Sequence, residues 1–322
     1  MKRWNALTPF TRGAVMMLGA ILVFSMMDAT AKYLTDRHHA MQVVWARYTF
    51  QLIFVFMIAA PRLGPLLRTR FPILQIGRSA FLFLATICFF SSLPHLKLVT
   101  VMAIFEVAPL MICLFAYLFL GERVGWRRWI GVLIGLFGAL IIIRPGSEVF
   151  EPAALLPVLA ATFFAAYAVS TRYLGRAEHP WTSFLYTALI GTIGASLCVP
   201  FFWTTPSWQD ALMMSALGAG AGFGHLMLIR SLLLADASAL ALFTYSSLIY
   251  GATWGFLIFS EVPDVFTVSG SVVIVSAGVF VWYRENRANR ASMVSSKPVI
   301  HSTPATAAKT AQLATRSGTG SD

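Results

Sequence analysis

The sequence predicts an all-α integral membrane protein with about ten transmembrane helices, built as two inverted five-helix repeats with both termini in the cytoplasm. Three observations support this fold class. The composition is too apolar for a water-soluble chain, apolar runs long enough to span a bilayer recur along the sequence, and the second half repeats the pattern of the first. Together they predict a protein that lies mostly in lipid.

The composition excludes the main soluble classes. The chain has 322 residues, of which 58% are apolar, 14% aromatic and only 11% charged, whereas soluble domains carry about 25% charged residues. Three cysteines, Cys88, Cys113 and Cys198, lie separately in apolar runs without C-x-x-C spacing, which indicates neither a disulfide framework nor a zinc site. We therefore expect no soluble enzyme, no disulfide scaffold, no bound metal and no cofactor.

The first apolar run resembles a secretory signal peptide, because basic residues precede it and an Ala-Thr-Ala sequence in it looks like a cleavage site. However, the run extends over Gly13–Tyr33, which is the length of a full membrane span. It also contains Asp28 and Lys32, which the apolar core of a signal peptide would not carry. We interpret it as a retained first helix, preceded by a short cytoplasmic segment at residues 1–12.

Further apolar runs of comparable length follow, separated by short polar breaks. The ten predicted helices are Gly13–Tyr33, Met41–Ala60, Ile73–Leu93, Val99–Leu120, Trp129–Ile143, Ala153–Tyr173, Trp181–Phe202, Ala211–Leu234, Ala237–Phe259 and Phe266–Tyr283. The segment 144–152 is the predicted connection between the two halves. Residues 285–322, which are rich in Ser, Thr and Ala, are expected to form a disordered cytoplasmic tail.

The two halves of the chain resemble each other. Residues 119–143 align with residues 258–282 at a constant offset of 139, and this match places a first repeat at 13–143 and a second at 153–284. Because each repeat has an odd number of helices, the second is expected to enter the membrane in the opposite orientation. Inverted repeats of this kind are typical of secondary transporters.

The basic residues indicate the orientation of the chain. When the N-terminus is placed in the cytoplasm, 19 of the 24 Lys and Arg residues fall on the cytoplasmic side, Arg78 among them, and three fall on the opposite side. Positive charge collects on the cytoplasmic face of membrane proteins. The net charge of +11 is therefore expected to lie beside anionic membrane lipid, and no nucleic-acid partner is needed to explain it.

Two long segments, residues 96–146 and 232–285, resemble the two repeats of EamA-type members of the drug/metabolite transporter superfamily. In each repeat a polar turn, Gly-Glu-Arg at 121–123 and Ser-Glu-Val-Pro-Asp at 260–264, precedes a helix with spaced glycines. The resemblance implies ten transmembrane helices in an inverted five-plus-five arrangement, a central solute cavity and a location in the cell membrane. The chain departs from the family pattern at Ser260, where glycine is common.

The same resemblance leaves the substrate open. Members of this family move amino acids, nucleotide-related metabolites, vitamins and drugs in either direction, so it implies uptake or export of a small organic molecule. Residues 27–34 and 43–50, MDATAKYL and VVWARYTF, are similar to the start of the family's S-adenosylmethionine and riboflavin uptake proteins. Both compounds are therefore candidate substrates, within a class of amino-acid-like, nucleoside-like or vitamin-like metabolites.

Four ionisable residues lie within the first four predicted helices: Asp28 and Lys32 in the first, Arg47 in the second and Glu106 in the fourth. Charged groups at membrane depth cost about 2.5–3.5 kcal/mol each on insertion scales, so these four are the first candidates for substrate binding or coupling. Asp28 and Lys32 are four residues apart and share a helix face, where they can pair directly. The two residues would either take part in substrate binding or coupling, or form a structural ion pair.

Glu106 is the first candidate among these residues. It lies about two turns inside the fourth predicted helix, and Pro109, three residues later, favours a kink that opens the helix onto a cavity. A nearby cation such as Arg47 would stabilise the carboxylate. Alternatively, Arg47 extends to the membrane surface. Glu106 can couple transport to proton movement or bind a cationic group of the substrate, and both roles stay open.

Aromatic residues are expected on the cavity wall opposite the charges, because Glu106 corresponds to Tyr245 at the 139-residue offset. The candidates, each of which could instead pack between helices or face lipid, are Phe105, Tyr167, Tyr245 and Trp254. His225 follows the glycine-dense run 218–224. It is interpreted as a cavity ligand, a proton relay or a packing residue.

Glycines in the fifth and tenth predicted helices are spaced for close helix packing. Gly131, Gly135 and Gly138 lie in the fifth helix, and Gly270 and Gly278 in the tenth. Small residues at such spacing let helix backbones approach each other. Tight packing of these helices would suit a scaffold or a homodimer contact. Glu122 and Glu261, which occupy equivalent positions of the two repeats, are interpreted as structural markers at helix ends.

The sequence therefore predicts a secondary active transporter that moves a small organic metabolite by alternating access, with proton coupling as an option. No nucleophile motif, phosphate-binding loop or metal-ligand motif indicates a catalytic residue. The alternatives are a drug or metabolite exporter, a membrane-embedded lipid-modifying enzyme, and a structural or sensory membrane protein.

Overall fold

The computed structural model describes residues 8–59, 63–121, 126–144, 151–174, 177–234, 243 and 245–295. The chain divides into two units, Met1–Trp282 and Tyr283–Asp322. The first unit contains the helical bundle. In the second unit, the described residues are those that end the last helix.

Helices account for nearly all of the described residues, and none of those residues forms a β-strand. The principal helices are α1 (Pro9–Thr35), α2 (Ala40–Ala59), α3 (Pro72–Ser92), α4a (Leu98–Phe105), α4b (Ala108–Leu120), α5 (Trp126–Ile143), α6 (Leu155–Leu174), α7 (Pro180–Cys198), α8 (Trp208–Leu234), α9 (Ser246–Phe259) and α10 (Val265–Ser295). Three short helical turns complete the described elements: Leu63–Leu66, Pro152–Ala154 and Val199–Phe202. The described part of the chain is thus all-α, as the sequence predicts.

Several of these helices are long and apolar enough to cross a membrane. Within the described residues there are 7 such segments: Pro9–Thr35, Ala40–Ile58, Pro72–Ser92, Leu98–Leu120, Pro152–Leu174, Pro180–Phe202 and Trp208–Ser231. Shorter apolar helices at Trp129–Ile143, Ser246–Phe259 and Val265–Phe280 occupy the positions of the remaining predicted spans. The fold is that of a multi-pass membrane protein, whereas the ten-span count, the inversion of the repeats and the cytoplasmic termini stay predictions.

The first and last helices are longer than predicted. α1 begins at Pro9, because the hydroxyl of Thr8 caps it by accepting a hydrogen bond from the Thr11 amide at 3.2 Å and proline fits the first helical position. α10 continues to Ser295, past residue 285, where the tail was expected to begin. The rest of that predicted tail, residues 296–322, lies outside the described residues.

The fourth span is broken in its middle. α4a ends at Phe105 and α4b begins at Ala108, with Glu106 and Val107 in the turn between them. Pro109 lies at the start of α4b, and in a continuous helix its ring would clash with the carbonyl group of Phe105. Where the sequence predicted a kink, the structure therefore has a break, which leaves the Glu106 side chain at the end of a helical segment.

Two matching residues of the halves share an unusual backbone conformation. Gly121 follows the last residue of α4b and Ser260 follows the last residue of α9, at the same 139-residue offset. Both residues are left-handed, with φ angles of 64° and 54°. A side chain makes this conformation unfavourable, whereas glycine adopts it freely. Ser260, where the family often has glycine, therefore carries strain that Gly121 avoids.

We expect Ser260→Gly to stabilise the protein and Gly121→Ser to destabilise it, each by about 0.5–1 kcal/mol. A Cβ atom at Gly121 would meet no other atom within 4 Å, so the second effect comes from the backbone alone. Thermal unfolding in a single detergent would show melting temperatures that shift in opposite directions. Shifts of the same sign would contradict this account of the two turns.

Contacts between the two halves of the bundle come in matched pairs. α1 of the first half packs against α8 of the second, and the equivalent helices of the opposite halves, α6 and α3, also pack together. In the same way, α2 packs against α8, and the equivalent α7 packs against α3. α1 also contacts α9, as α6 contacts α4a and α4b. The helices of the first half are thus packed mainly against those of the second, and α1 contacts α2, α4a and α9.

Small residues in α8 permit this close packing. A Cβ atom added to Gly218 would lie 3.0 Å from the carbonyl oxygen of Ala46 in α2, and one added to Gly224 would lie 2.7 Å from the ring of Phe24 in α1. Neither position has room for a larger side chain. Close helix approach therefore explains the glycine-dense run of α8.

Glycines of α5 and α10 also pack within the bundle. A Cβ atom added to Gly138 would lie 3.0 Å from the carbonyl oxygen of Gly270, so these helices approach each other through their backbones. Gly135 packs instead against Leu110 of α4b, and Gly131 is buried. The close approach of α5 and α10 lies inside a single chain and involves the predicted Gly138 and Gly270, whereas Gly135 faces another helix.

Candidate functional site

One face of α9 meets the break in the fourth span and the middle of α1. The hydroxyl of Ser247 donates a hydrogen bond to Oε1 of Glu106 at 2.5 Å. Two turns further along α9, the indole Nε1 of Trp254 donates to the Ser25 hydroxyl at 3.1 Å. Because residues seven apart share a helix face, α9 connects Glu106 with the segment of α1 that carries Asp28.

α2 contributes a buried cation whose charge acts on Asp28 of α1. Arg47 is only 6% exposed, and its Nε and Nη1 atoms have no hydrogen-bond acceptor among the described residues. One turn later, Gln51 is fully buried, and neither its amide oxygen nor its amide nitrogen is hydrogen-bonded there. Since buried polar groups are nearly always satisfied, Arg47 and Gln51 are candidates for contact with a polar ligand.

Asp28 faces the charge of Arg47. It is half-buried and lies one turn after Ser25 on α1, and the positive charge of Arg47 acts on its carboxylate. The sequence suggested that Arg47 would stand beside Glu106. Among the described residues, however, the hydrogen-bond donor to Glu106 is Ser247. We call Asp28, Arg47, Glu106 and Ser247 the central charged site.

Arg78 was expected at a cytoplasmic tip and is instead inside the bundle, only 2% exposed. Its guanidinium group donates to the hydroxyls of Thr171 and Thr187 at 3.1 and 2.7 Å and to the Ser183 carbonyl at 2.5 Å. It also lies 4.9 Å from the centroid of the Tyr167 ring. These acceptors from α6 and α7 explain why a charged residue near the start of α3 turns inward.

Lys32 does not pair with Asp28 in the structure. Its Nζ atom lies 2.9 Å from Oε1 of Glu261 and donates to the carbonyl oxygens of Leu93 and Leu96 at 2.8 and 2.6 Å. These three acceptors match the three N–H donors of an ammonium group. The expected ion pair within α1 is therefore replaced by a link between the two halves of the chain.

Glu261 also caps a helix of the first half. Its Oε2 atom accepts a hydrogen bond from the backbone amide of Leu98, the first residue of α4a, at 2.8 Å. Beside it, Nζ of Lys97 donates to the Val262 carbonyl at 2.7 Å. The sequence identified Glu261 only as a helix-end marker, and its equivalent Glu122 lies outside the described residues.

A second ion pair lies close by, at the start of α10. The carboxylate of Asp264 accepts from the Thr267 amide at 2.8 Å and pairs with Arg144. Partial burial raises the pKa of the Asp264 carboxyl, but the hydrogen bonds from Thr267 and the charge of Arg144 outweigh burial and hold the pKa below its usual value. Asp264 is thus ionised at neutral pH and joins the ends of α5 and α10.

The aromatic candidates occupy different environments. Trp254 reaches α1 beside the central charged site, and Tyr167 packs under Arg78. Phe105 belongs to an aromatic group, with its centroid 5.3 Å from that of Phe89. The ring of Tyr245 packs against Gly278 of α10. The structure therefore brings Trp254 to α1, whereas Tyr245 lies against α10.

His225 is enclosed by aromatic rings. Its ring centroid lies 5.1 Å from that of Phe24 and 5.3 Å from that of Phe184, and its Nδ1 atom is 2.8 Å from the Ala221 carbonyl oxygen. This environment is typical of a packing residue that holds α8 against α1 and α7. The charges of Arg47 and Arg78 both act on it.

A separate cavity of about 760 Å³ lies where the α2–α3 connection meets the α6–α7 connection. Its lining includes Arg68, Arg70, Glu178 and Trp181. The carboxylate of Glu178 accepts hydrogen bonds from the Thr69 hydroxyl and the Arg70 amide, each at 2.9 Å. This cavity is distinct from the central charged site, none of whose residues lines it.

The central charged site is suited to recognition of a charged solute. The carboxylates of Asp28 and Glu106 can bind a cationic group, and the guanidinium of Arg47 can bind a carboxylate or phosphate. Within the described part of the chain, no cluster of three or more His, Cys, Asp or Glu side chains could hold a metal ion. The arrangement therefore favours binding through charge and hydrogen bonds.

Comparison with known proteins identifies related chains along nearly the whole length. The model of the EamA-like transporter family matches twice, over residues 11–144 and 151–283. An S-adenosylmethionine uptake transporter of Rickettsia felis is 28% identical over 284 residues, which are 88% of this chain and 97% of the relative.

Relatives with other names show the same sequence identity. A pseudopaline exporter of Pseudomonas aeruginosa is 28% identical over 270 residues, covering 82% of this chain and 94% of the relative. A riboflavin transporter of Rhizobium johnstonii is 28% identical over 281 residues, covering 86% of this chain and 93% of the relative. Similar proteins thus carry the names of both importers and exporters.

A solved structure shares the fold. This crystal structure of a protein with 20% sequence identity matches with a TM-score of 0.63 and covers 86% of this chain and 99% of that chain. The likeness applies to the helical architecture alone.

Proposed function

The chain belongs to the EamA-like transporter family, and on that basis we propose that it is a secondary active transporter that carries a small organic metabolite by alternating access. It is a multi-pass protein of the cell membrane. Under this proposal the two repeats move against each other around a binding site at their junction. The substrate crosses the membrane chemically unchanged, so we propose no enzymatic step.

The observation that carries the proposal is a set of opposite charges buried where the two halves meet. Asp28 and Arg47 come from the first half and face each other without a direct ion pair, while Glu106 of the first half is hydrogen-bonded to Ser247 of the second. Unpaired charges in such a place are costly. A substrate that brings a cationic group to the carboxylates and an anionic group to Arg47 would offset that cost.

This charge pattern favours one of the candidate substrates. S-adenosylmethionine carries an ammonium group and a carboxylate as well as a sulfonium, and a protein named for its uptake is among the relatives. Riboflavin, the substrate named for another relative, has no charged group to match Asp28 and Arg47. We therefore propose an amphoteric, amino-acid-like metabolite, with S-adenosylmethionine as the first compound to test.

Counterflow in proteoliposomes tests the proposal. Vesicles preloaded with unlabelled S-adenosylmethionine should accumulate the labelled compound, and excess riboflavin should not compete. Recovery of the unchanged compound would separate transport from an enzymatic reaction. Flux of riboflavin without flux of S-adenosylmethionine would contradict the proposed substrate class. The absence of flux for a panel of amino acids, nucleosides and vitamins, with a lipid product formed, would contradict the transporter itself.

A further inference from the structure

We propose that Lys32 couples occupancy of Asp28 to closure of one end of the bundle, because it can exchange between two carboxylates, Glu261 and Asp28. The inference rests on the proposed function, in which a cationic group of the substrate binds Asp28. In this account Lys32 and Glu261 are coupling residues and need not contact the substrate.

The structure shows one of the two pairings. Lys32 binds Glu261 at 2.9 Å, and both side chains are largely buried, with 7% and 15% of their surfaces exposed. The same ammonium group holds the carbonyl oxygens of Leu93 and Leu96, while Glu261 holds the amide of Leu98. We call this set of interactions the end latch.

The end latch joins helices of the two halves, which move relative to each other under the proposed mechanism. Lys32 lies on α1 of the first half, whereas Glu261 follows the last turn of α9 in the second half. α9 also carries Ser247 and Trp254, which reach Glu106 and Ser25. A displacement of α9 that opens this end would therefore pull Glu261 away from Lys32 and would disturb the central charged site at the same time.

Asp28 is the other carboxylate within reach of Lys32. The two residues are four apart on α1, with the acid on the N-terminal side, which is the favourable arrangement for an ion pair on one helix. Asp28 has no hydrogen bond or ion pair with a described residue, and Arg47 acts on it from α2. A released Lys32 side chain could therefore fold back along α1 towards Asp28.

The two carboxylates thus compete for one ammonium group. When Asp28 is ionised and holds no cation, it competes with Glu261 for Lys32 and so weakens the end latch. When a cationic group of the substrate binds Asp28, that competition ends and Lys32 stays with Glu261. Binding would then favour closure of this end, which is the coupling that alternating access requires.

Hydrogen–deuterium exchange of the purified protein without substrate tests the exchange of partners. Glu261→Gln should speed exchange in the segment 93–100 by about tenfold, because Gln keeps an acceptor for the Leu98 amide but loses the charge that holds Lys32. Asp28→Asn should slow exchange there several-fold, because it removes the competing carboxylate. The double variant should exchange more slowly than Glu261→Gln alone.

Asp264→Asn is the matched control. This substitution removes a carboxylate in the connection between α9 and α10, close to Glu261. The partner of Asp264 is Arg144 and not Lys32. Its effect on exchange should therefore be the same with or without Asp28→Asn.

A purely structural end latch would give a different result. Asp28→Asn would then leave exchange in the segment 93–100 unchanged, and the double variant would match Glu261→Gln; this would overturn the coupling role. If the Glu261→Gln variant does not accumulate, exchange in the segment 93–100 of the Asp28→Asn variant is a sufficient test. Slower exchange in that variant supports the proposal, and unchanged exchange refutes it. Because no substrate is present, failure here would leave the transport proposal standing.

Discussion

Glu106→Gln is expected to reduce transport of a cationic or amphoteric substrate by at least about 30-fold. Removal of one partner of a buried charge pair costs about 2–5 kcal/mol, and each 1.4 kcal/mol is a factor of about ten in affinity. The substitution is isosteric, and the Ser247 hydroxyl can still donate to the remaining amide oxygen. We therefore expect the variant to insert and fold normally and to lose binding.

Binding and counterflow of labelled S-adenosylmethionine in proteoliposomes would measure this effect. Glu178→Gln is a suitable control, because that carboxylate bonds to Thr69 and Arg70 away from the central charged site. Loss of uptake driven by a proton gradient, with exchange retained, would assign Glu106 to proton coupling and not to substrate binding. Unimpaired transport across the pH range would remove Glu106 from the site.

Gly138→Leu is expected to disrupt the fold more than any other single change considered. At the crossing of α5 and α10, a Cβ atom at Gly138 would lie 3.0 Å from the carbonyl oxygen of Gly270 and 2.8 Å from Cγ1 of Ile274. A backbone carbonyl cannot move aside as a side-chain end can. Overpacking costs about 1–3 kcal/mol, and we expect a loss at the top of that range or failure to accumulate.

The matched control is Gly77→Leu, because a Cβ atom at Gly77 of α3 meets no atom within 4 Å. Yield, monodispersity in detergent and melting temperature would compare the two variants with the native chain. Equal stability of Gly138→Leu and Gly77→Leu would show that α5 and α10 can separate at this crossing without cost, contrary to the close approach in the structure.

Much of the fold could be predicted from the sequence because a backbone in lipid can adopt few conformations. A backbone in hydrocarbon must satisfy its own hydrogen bonds, so each apolar run of sufficient length predicts a helix. The 139-residue offset identified the matching ends of α4b and α9, and Pro109 marked the position of the break. The early start of α1 could also have been predicted from the Thr-Pro pair at residues 8 and 9, which is a common helix start.

The partners of the charged residues were much less predictable. The sequence predicts an ion pair between Lys32 and Asp28, because residues four apart share a helix face. In the structure, Lys32 instead binds Glu261 and two carbonyl oxygens that lie far away along the chain. Arg78 was counted as a surface charge because it lies near the start of α3, whereas its acceptors belong to α6 and α7. Local spacing gives no information about acceptors that lie about 60 to 230 residues away along the chain.

The matched contacts between the halves have a consequence for biogenesis. When α1–α5 have left the ribosome, Arg78 still lacks the acceptors on α6 and α7, and Lys32 still lacks Glu261. Until the rest of the chain is synthesised, Lys32 has only the Leu93 and Leu96 carbonyl groups of its own half, and Arg78 has none of these acceptors. Assembly is therefore late and depends on both halves. Two separately encoded halves would therefore have to be co-expressed for Arg78 and Lys32 to find these partners.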